Sequence, residues 1–234
     1  MSWVTKTFKS TLGQKLIMAL TGLFLIIFLI GHVTGNLLLF KDDGGQAFNE
    51  YADFMTTNQF VQILSITTYV SILVHIIYSI LLTYLNKRAR PVAYAKVDPP
   101  KESSFSSRNM GILGTIILIF LVVHLQGFWY RMHWGEIQQV TYDTGVYKNL
   151  YAVVVWAFQV EWMVALYVIA MIFLGFHLSH GFASAFQTLG LNHRKYTPAI
   201  KFIGRAFAIV VPALFASMPL YIYFFISAPE KLPF

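Results

Sequence analysis

Apolar residues run almost unbroken through five stretches of the chain, 15–40, 59–86, 108–132, 153–189 and 200–227. The segments between them are rich in charge, glycine and proline. A bilayer core takes roughly twenty apolar residues of helix, so each stretch is long enough to cross it. The first stretch comes after a basic flank of Lys6, Lys9 and Lys15, as a secretory leader would. It continues to Phe40 with no small-residue cleavage pattern after it, which predicts a retained membrane helix. The fourth is longer than a crossing needs, and its early part carries Gln159 and Glu161, so it is expected to begin in the headgroup layer or beyond. In Gln46–Thr57 the residues Phe48, Tyr51, Ala52 and Met55 share one face at helical spacing, which predicts an amphipathic turn or helix. Pro99-Pro100 makes segment 97–108 irregular, and Pro212 and Pro219 predict kinks in the fifth stretch. The expected fold is therefore all-α, an integral membrane bundle of five transmembrane helices forming one domain over residues 1–234.

Charge gives this bundle a direction. The N-terminal arm and the segments 87–107 and 190–201, with flanking Arg108 and Arg205, hold thirteen of the seventeen basic residues. The opposite segments hold Lys41, Arg131, Lys148 and Lys231 with eight of the ten acids. Basic loops stay in the cytoplasm, so the N-terminus is expected there and the C-terminus outside. Trp129, Trp134, Trp156 and Trp162 fall on the outer side, where aromatic belts form. Hydrophobic residues make up 57% of the chain and charged ones 12%, about half the charge of a soluble domain. The net charge of +7 is thus a membrane-orientation signal rather than a nucleic-acid footprint, and no nucleic-acid partner is expected. Cysteine is absent, which excludes disulfides, thiolate-bound zinc, iron–sulfur ligation by this chain and covalent haem attachment.

Four histidines break the apolar spans: His32, His75, His124 and His177. Each lies sixteen or seventeen residues past the polar residue that opens its span, counting from Lys15, Gln59, Arg108 and Glu161. At 1.5 Å per residue that is roughly 24 Å along each helix. Spans one and three run outward, which puts His32 and His124 at one depth. Spans two and four run inward, which puts His75 and His177 at another. A haem between two helices needs one neutral imidazole on each face of its iron. Small residues sit beside the histidines: Gly31 and Gly35, Ser71 and Ser79, Gly127, and Gly175 and Gly181. They leave room for a macrocycle, although small residues also let helices pack closely. His180, three residues after His177, is a rival ligand or a propionate partner. Other candidate propionate partners are Lys15 and Arg88 on the inner side and Arg131 and His133 on the outer side. His133 and His193 lie at span ends or in loops and are not expected to ligate. A haem-free proton-coupled transporter would also use membrane histidines, but it predicts intramembrane acids or an inverted repeat, and the sequence has neither.

The pieces ALTGLFLIIFLIGH, LVVHL and FHLSHG, in this order and spacing, identify a pattern. Over residues 13–227 the chain resembles the dihaem cytochrome b membrane anchor of succinate dehydrogenase and fumarate reductase. The likeness is to the single-subunit, five-helix form of Bacteroidetes-type bacteria. In that family the last ligand is a histidine with a glycine four residues after it, which fits His177 with Gly181 and not His180. The resemblance implies two b-type haems, an outer one on His32 and His124 and an inner one on His75 and His177. It also implies a quinone, menaquinone by preference, and a place in the bacterial inner membrane. An iron–sulfur subunit would dock on the cytoplasmic face, with a flavoprotein beyond it. Dicarboxylate chemistry would belong to the flavoprotein, and this chain would pass electrons to or from quinone. The family places a quinone-protonating acid near the outer end of span two, where Glu50 and Asp53 stand here, Asp53 closer to the membrane. The cytochrome b of a hydrogenase or formate dehydrogenase is the alternative from the same chemistry.

Overall fold

The structure is a computed structural model, and it describes residues 10–89 and 104–228. The described residues are 81% helical. Five helices are long and apolar enough to cross a membrane, and the chain is a multi-pass, all-α membrane protein. We label the helices α1 (Thr11–Asn36, tightening to a 3-10 turn at Leu37–Phe40), α2 (Gln46–Thr57), α3 (Gln59–Arg88), α4 (Met110–Trp134), α5 (Leu150–Phe158), α6 (Glu161–Thr188) and α7 (Thr197–Phe225). Lys6, Lys9, Pro99-Pro100 and Lys231, which entered the charge and loop expectations, lie outside the described residues.

Helix ends obey local chemistry. Ser10 Oγ accepts the amide of Gly13 ahead of α1. Asn58 Oδ1 accepts those of Phe60 and Val61 at α3, and Asn149 Oδ1 that of Ala152 at α5. Each meets amides that have no partner inside the helix. Gly190 ends α6 in the left-handed conformation (φ 75°), and Leu191 donates back to Phe186 at 3.0 Å. The long helices turn large apolar side chains outward. Ile27, Ile63, Ile80 and Phe202 are all at least 64% exposed, which is stable only against hydrocarbon.

The fourth stretch departs from expectation. It is two helices, α5 and α6, broken at Gln159–Val160. Gln159 Nε2 leaves its own backbone to donate to Ile222 O (3.3 Å) and Ile226 O (2.8 Å), carbonyls at the end of α7. The fifth helix runs unbroken through Pro212 and Pro219. A hairpin not anticipated from the pattern pairs β1 (Gln139–Tyr142) with β2 (Gly145–Lys148), antiparallel, in the register Gln139 opposite Lys148.

The chain resolves into two compact units. The first comprises the described parts of Met1–Phe28, Ile66–Thr115 and Gly175–Ala208, and the second those of Leu29–Ser65, Ile116–Leu174 and Ile209–Phe234. In the first unit Gly204 packs under the Phe182 ring, and the hydroxyls of Ser106 and Ser179 lie 3.4 Å apart. In the second unit α2, the hairpin and α5 form an assembly outside the membrane spans. Its tie is Asn49, which is fully buried. Asn49 Nδ2 donates to Tyr142 Oη (3.0 Å) and Asn149 Oδ1 (3.1 Å), and its Oδ1 accepts the Tyr151 amide (2.8 Å). Lys148 Nζ donates to Met132 O at 2.7 Å, holding the hairpin to the end of α4.

Removing the Asn49 amide takes away three hydrogen bonds to half-buried partners and is expected to cost about 2 kcal/mol. Asn49→Ala is therefore expected to lower the detergent-solubilised melting temperature and expose the hairpin to protease, whereas unchanged melting and cleavage would show that the assembly does not depend on this residue.

Candidate functional site

The structure brings the four span histidines together in two pairs, each inside one unit. In the second unit the rings of His32 (α1) and His124 (α4) lie 5.7 Å apart between centroids, with planes at 90°. In the first unit the rings of His75 (α3) and His177 (α6) lie 6.4 Å apart, at 66°. All four rings are half-buried. The ring that faces His75 belongs to His177 and not to His180, which lies one turn further along α6.

A hydroxyl lies against the Nδ1 of one member of each pair. Thr21 Oγ1 is 3.2 Å from His75 Nδ1 and also donates to Ile17 O (2.9 Å) and Met18 O (3.1 Å). With its hydrogen on one of those carbonyls, the Thr21 oxygen accepts from His75 in the tautomer that carries the proton on Nδ1, which leaves Nε2 with a free lone pair. Tyr167 Oη is 3.2 Å from His124 Nδ1. Tyr167 is buried and its ring packs against Phe120 and Phe158, each at 4.9 Å, and against Phe128 at 6.0 Å. His177 Nδ1 is buried with no hydrogen-bond partner among the described residues.

These residues fit a metal-centred group gripped from both sides. Two imidazoles sharing one metal, at about 2 Å per metal–nitrogen bond, bring their ring centres about 6 Å apart. Both pairs match that spacing without other metal-binding residues, and no group of three or more such residues occurs among the described residues. Two histidines are what a haem iron takes from the protein.

The small residues divide. Gly127 and Gly181 are half-buried, yet a Cβ at either would meet nothing within 4 Å, which leaves space beside His124 and His177. Gly35 differs, because a Cβ there would collide with the Tyr51 ring, so it serves the seating of α2 and not a cofactor. Gly22, Thr21 and Tyr167 escaped sequence reasoning. A Cβ on Gly22 would sit 3.4 Å from the His75 ring, so this glycine sets how closely α1 approaches that histidine. A π-helical segment at Leu125–Trp129, starting just after His124, also escaped it. Such segments recur at functional sites, where the extra residue in the turn re-aims neighbouring side chains. Phe215 of α7 lies 5.5 Å from the His32 ring.

Among the candidate propionate partners, Lys15 and Arg88 belong to the first unit, as does His180, and Arg131 and His133 to the second. Arg131 lies 5.9 Å over the Trp156 ring, and His133 Nδ1 is 2.9 Å from Trp129 O. His193 accepts the Lys195 amide and stacks on Tyr196, as a solvated loop imidazole does. Both candidate acids lie on α2. Glu50 Oε1 accepts from Thr144 Oγ1 and from Gln46 Nε2 (2.8 Å). These bonds, that of Thr144 first, hold its carboxyl below the usual range. Asp53 is half-buried, and its carbonyl accepts the hydroxyls of Thr56 and Thr57.

No family model, curated protein or solved structure matches the chain.

Glu50 supplies a pH prediction. Its folded pKa lies below its unfolded value of about 4.3, so its contribution is complete above that value and is lost as pH falls through the lower one. The effect is small because solvent screens the group. Melting temperature should fall more steeply below about pH 4 in wild type than in Glu50→Gln; identical slopes would place the acid sensitivity elsewhere.

Proposed function

We propose that this chain is a dihaem cytochrome b that anchors a succinate dehydrogenase or fumarate reductase in the bacterial inner membrane. It passes electrons between an iron–sulfur subunit and quinone, with menaquinone favoured by the resemblance. The observation that carries this proposal is the pair of facing imidazole couples from four different helices, at 5.7 and 6.4 Å. A haem held by each couple supplies a one-electron carrier. His75 and His177 would grip the haem that meets the iron–sulfur subunit, and His32 and His124 the haem that meets quinone. A flavoprotein bound to the iron–sulfur subunit would carry out the dicarboxylate reaction.

The chain's own contribution is to orient and desolvate. Thr21 keeps the His75 proton on Nδ1, which turns Nε2 toward the metal position. Tyr167 does the same for His124 when it accepts from Nδ1. Phe120, Phe128 and Phe158 pack against the Tyr167 ring and give the residue apolar surroundings. Quinone reduction takes up protons, and a carboxyl able to bind one near neutral pH serves it best. Glu50 is held as the carboxylate by Thr144 and Gln46, which disfavours it as the donor, and Asp53 is preferred because it lies nearer the membrane entry of the second span.

Purified protein should show sharp b-type bands in a reduced-minus-oxidised spectrum, with close to two haems per chain. His75→Ala and His124→Ala should each remove one haem and leave the other. A colourless preparation, or variants that keep both haems, would end the proposal.

The hydroxyls give a separate prediction. Loss of such a second contact costs about 10- to 100-fold in metal affinity. Thr21→Val should weaken haem retention at the His75 couple. Tyr167→Phe should raise the potential of the haem on His124, because that imidazole loses electron-donating support. Potentiometric titration with unchanged midpoints and haem content in both variants would reduce Thr21 and Tyr167 to packing residues.

A further inference from the structure

A cleft of about 520 Å³ opens in the first unit where α7 begins. Arg194, Lys201 and Arg205 line it, together with His193, Pro198 and Phe202, and no acid among the described residues lines it. Lys201 and Arg205 are one helical turn apart, where like charges repel. None of the three cations has a carboxylate within 4 Å among the described residues, where the single ion pair is Lys41 with Asp43. Among the described residues, the concentration of positive charge is therefore uncompensated.

Asn192, His193 and Thr197 add polar groups to the lining, and Pro198 and Phe202, on a helix that crosses the membrane, are its apolar part. Phe202 is 73% exposed, and Ile203 next to it 56% exposed. Both lie in the first two turns of α7, among residues that face hydrocarbon further along the same helix, such as Ile209 at 69%. The cleft is thus cationic, and Phe202 at its edge leads onto the lipid-facing side of the helix, where an acyl chain fits. A free phosphate would leave Phe202 unused. An acidic protein segment would have to cover lipid-facing side chains. An amphiphile with an anionic head satisfies both.

We propose that this cleft binds an anionic phospholipid, with its phosphate between Arg194, Lys201 and Arg205 and a chain along Phe202. The site requires only that the chain spans a membrane, and it is independent of the haem assignment. Each cation near an anionic headgroup is worth about fivefold in binding, so the three together are worth on the order of a hundredfold.

The test uses the full chain in neutral detergent, with bound lipid counted by native mass spectrometry. Phosphatidylglycerol should bind about a hundredfold more tightly than phosphatidylcholine. The triple variant R194Q/K201Q/R205Q should lose that preference, and Phe202→Ser should weaken phosphatidylglycerol while leaving its headgroup selectivity. A control variant, K87Q/R88Q, removes two cations at the end of α3 and should bind as wild type. Equal binding of the two lipids would overturn the proposal, as would equal losses in the control and triple variants. Inorganic phosphate competing at the same concentration as the lipid would make this a free-anion site. Unchanged lipid binding in the triple variant, with loss of an acidic protein that co-purifies with wild type, would make it a protein-docking site. Either result rejects the lipid. Circular dichroism of each variant separates loss of the site from loss of the fold.

Discussion

An imidazole inside hydrocarbon has no water to satisfy its two nitrogens, so protein or a metal must meet both. That constraint organises the centre of this chain. At His75 one nitrogen is answered by Thr21 and the ring faces His177 across 6.4 Å. At His124 the same division holds, with Tyr167 on one side and the His32 ring on the other. Hydroxyls suit the task because they are neutral and can bond their own helix as well as the imidazole, as Thr21 does with Ile17 and Met18. Each couple lies within one unit, so each site is built from local packing.

The same rule governs the backbone. Where helices end or break near the spans, side chains from other elements take the freed groups. Gln159 meets the last carbonyls of α7, Lys148 that of Met132, and Asn49 the amide of Tyr151 in the first turn of α5. These polar ties explain why a chain so poor in charge keeps Asn and Gln in buried places. Asn49 is fully buried, yet it carries the contacts that join α2, the hairpin and α5. An apolar residue there would strand its partners.

The five spans were legible because crossing a membrane demands about twenty apolar residues, a signal few alternatives mimic. The pairing of the histidines was legible for a related reason. Helical rise is fixed, so equal spacing from the polar end means equal depth. The break at Gln159–Val160 was not legible, since Val153, Val154 and Val155 before it are as apolar as a span, and only contacts reveal that they are buried in protein. The hairpin was hidden because strands of four residues carry little alternation. The parts of Thr21, Gly22 and Tyr167 depend on how one helix is rotated against another, and one sequence does not encode that in any local pattern. Gly35 shows the converse: beside His32 it reads as cofactor space, but the Tyr51 ring occupies it.

Helix α7 carries no histidine, yet it is tied to one couple. Pro219, fully buried, stands four residues after Phe215, whose carbonyl would otherwise accept an amide from that position. The proline ring crowds that carbonyl and so fixes the backbone where Phe215 projects. Phe215 in turn lies 5.5 Å from the His32 ring. Beyond the proline, Ile222 is wholly buried, and Gln159 takes its carbonyl and that of Ile226. The helix is thus anchored beyond the proline, while the turn before it places an aromatic ring against an imidazole. A helix-breaking residue is tolerated in a membrane span only where protein re-satisfies the backbone. Pro219 stands one turn after Phe215, where α7 reaches His32, so the proline belongs to the architecture of the histidine couple, in a helix that continues past it.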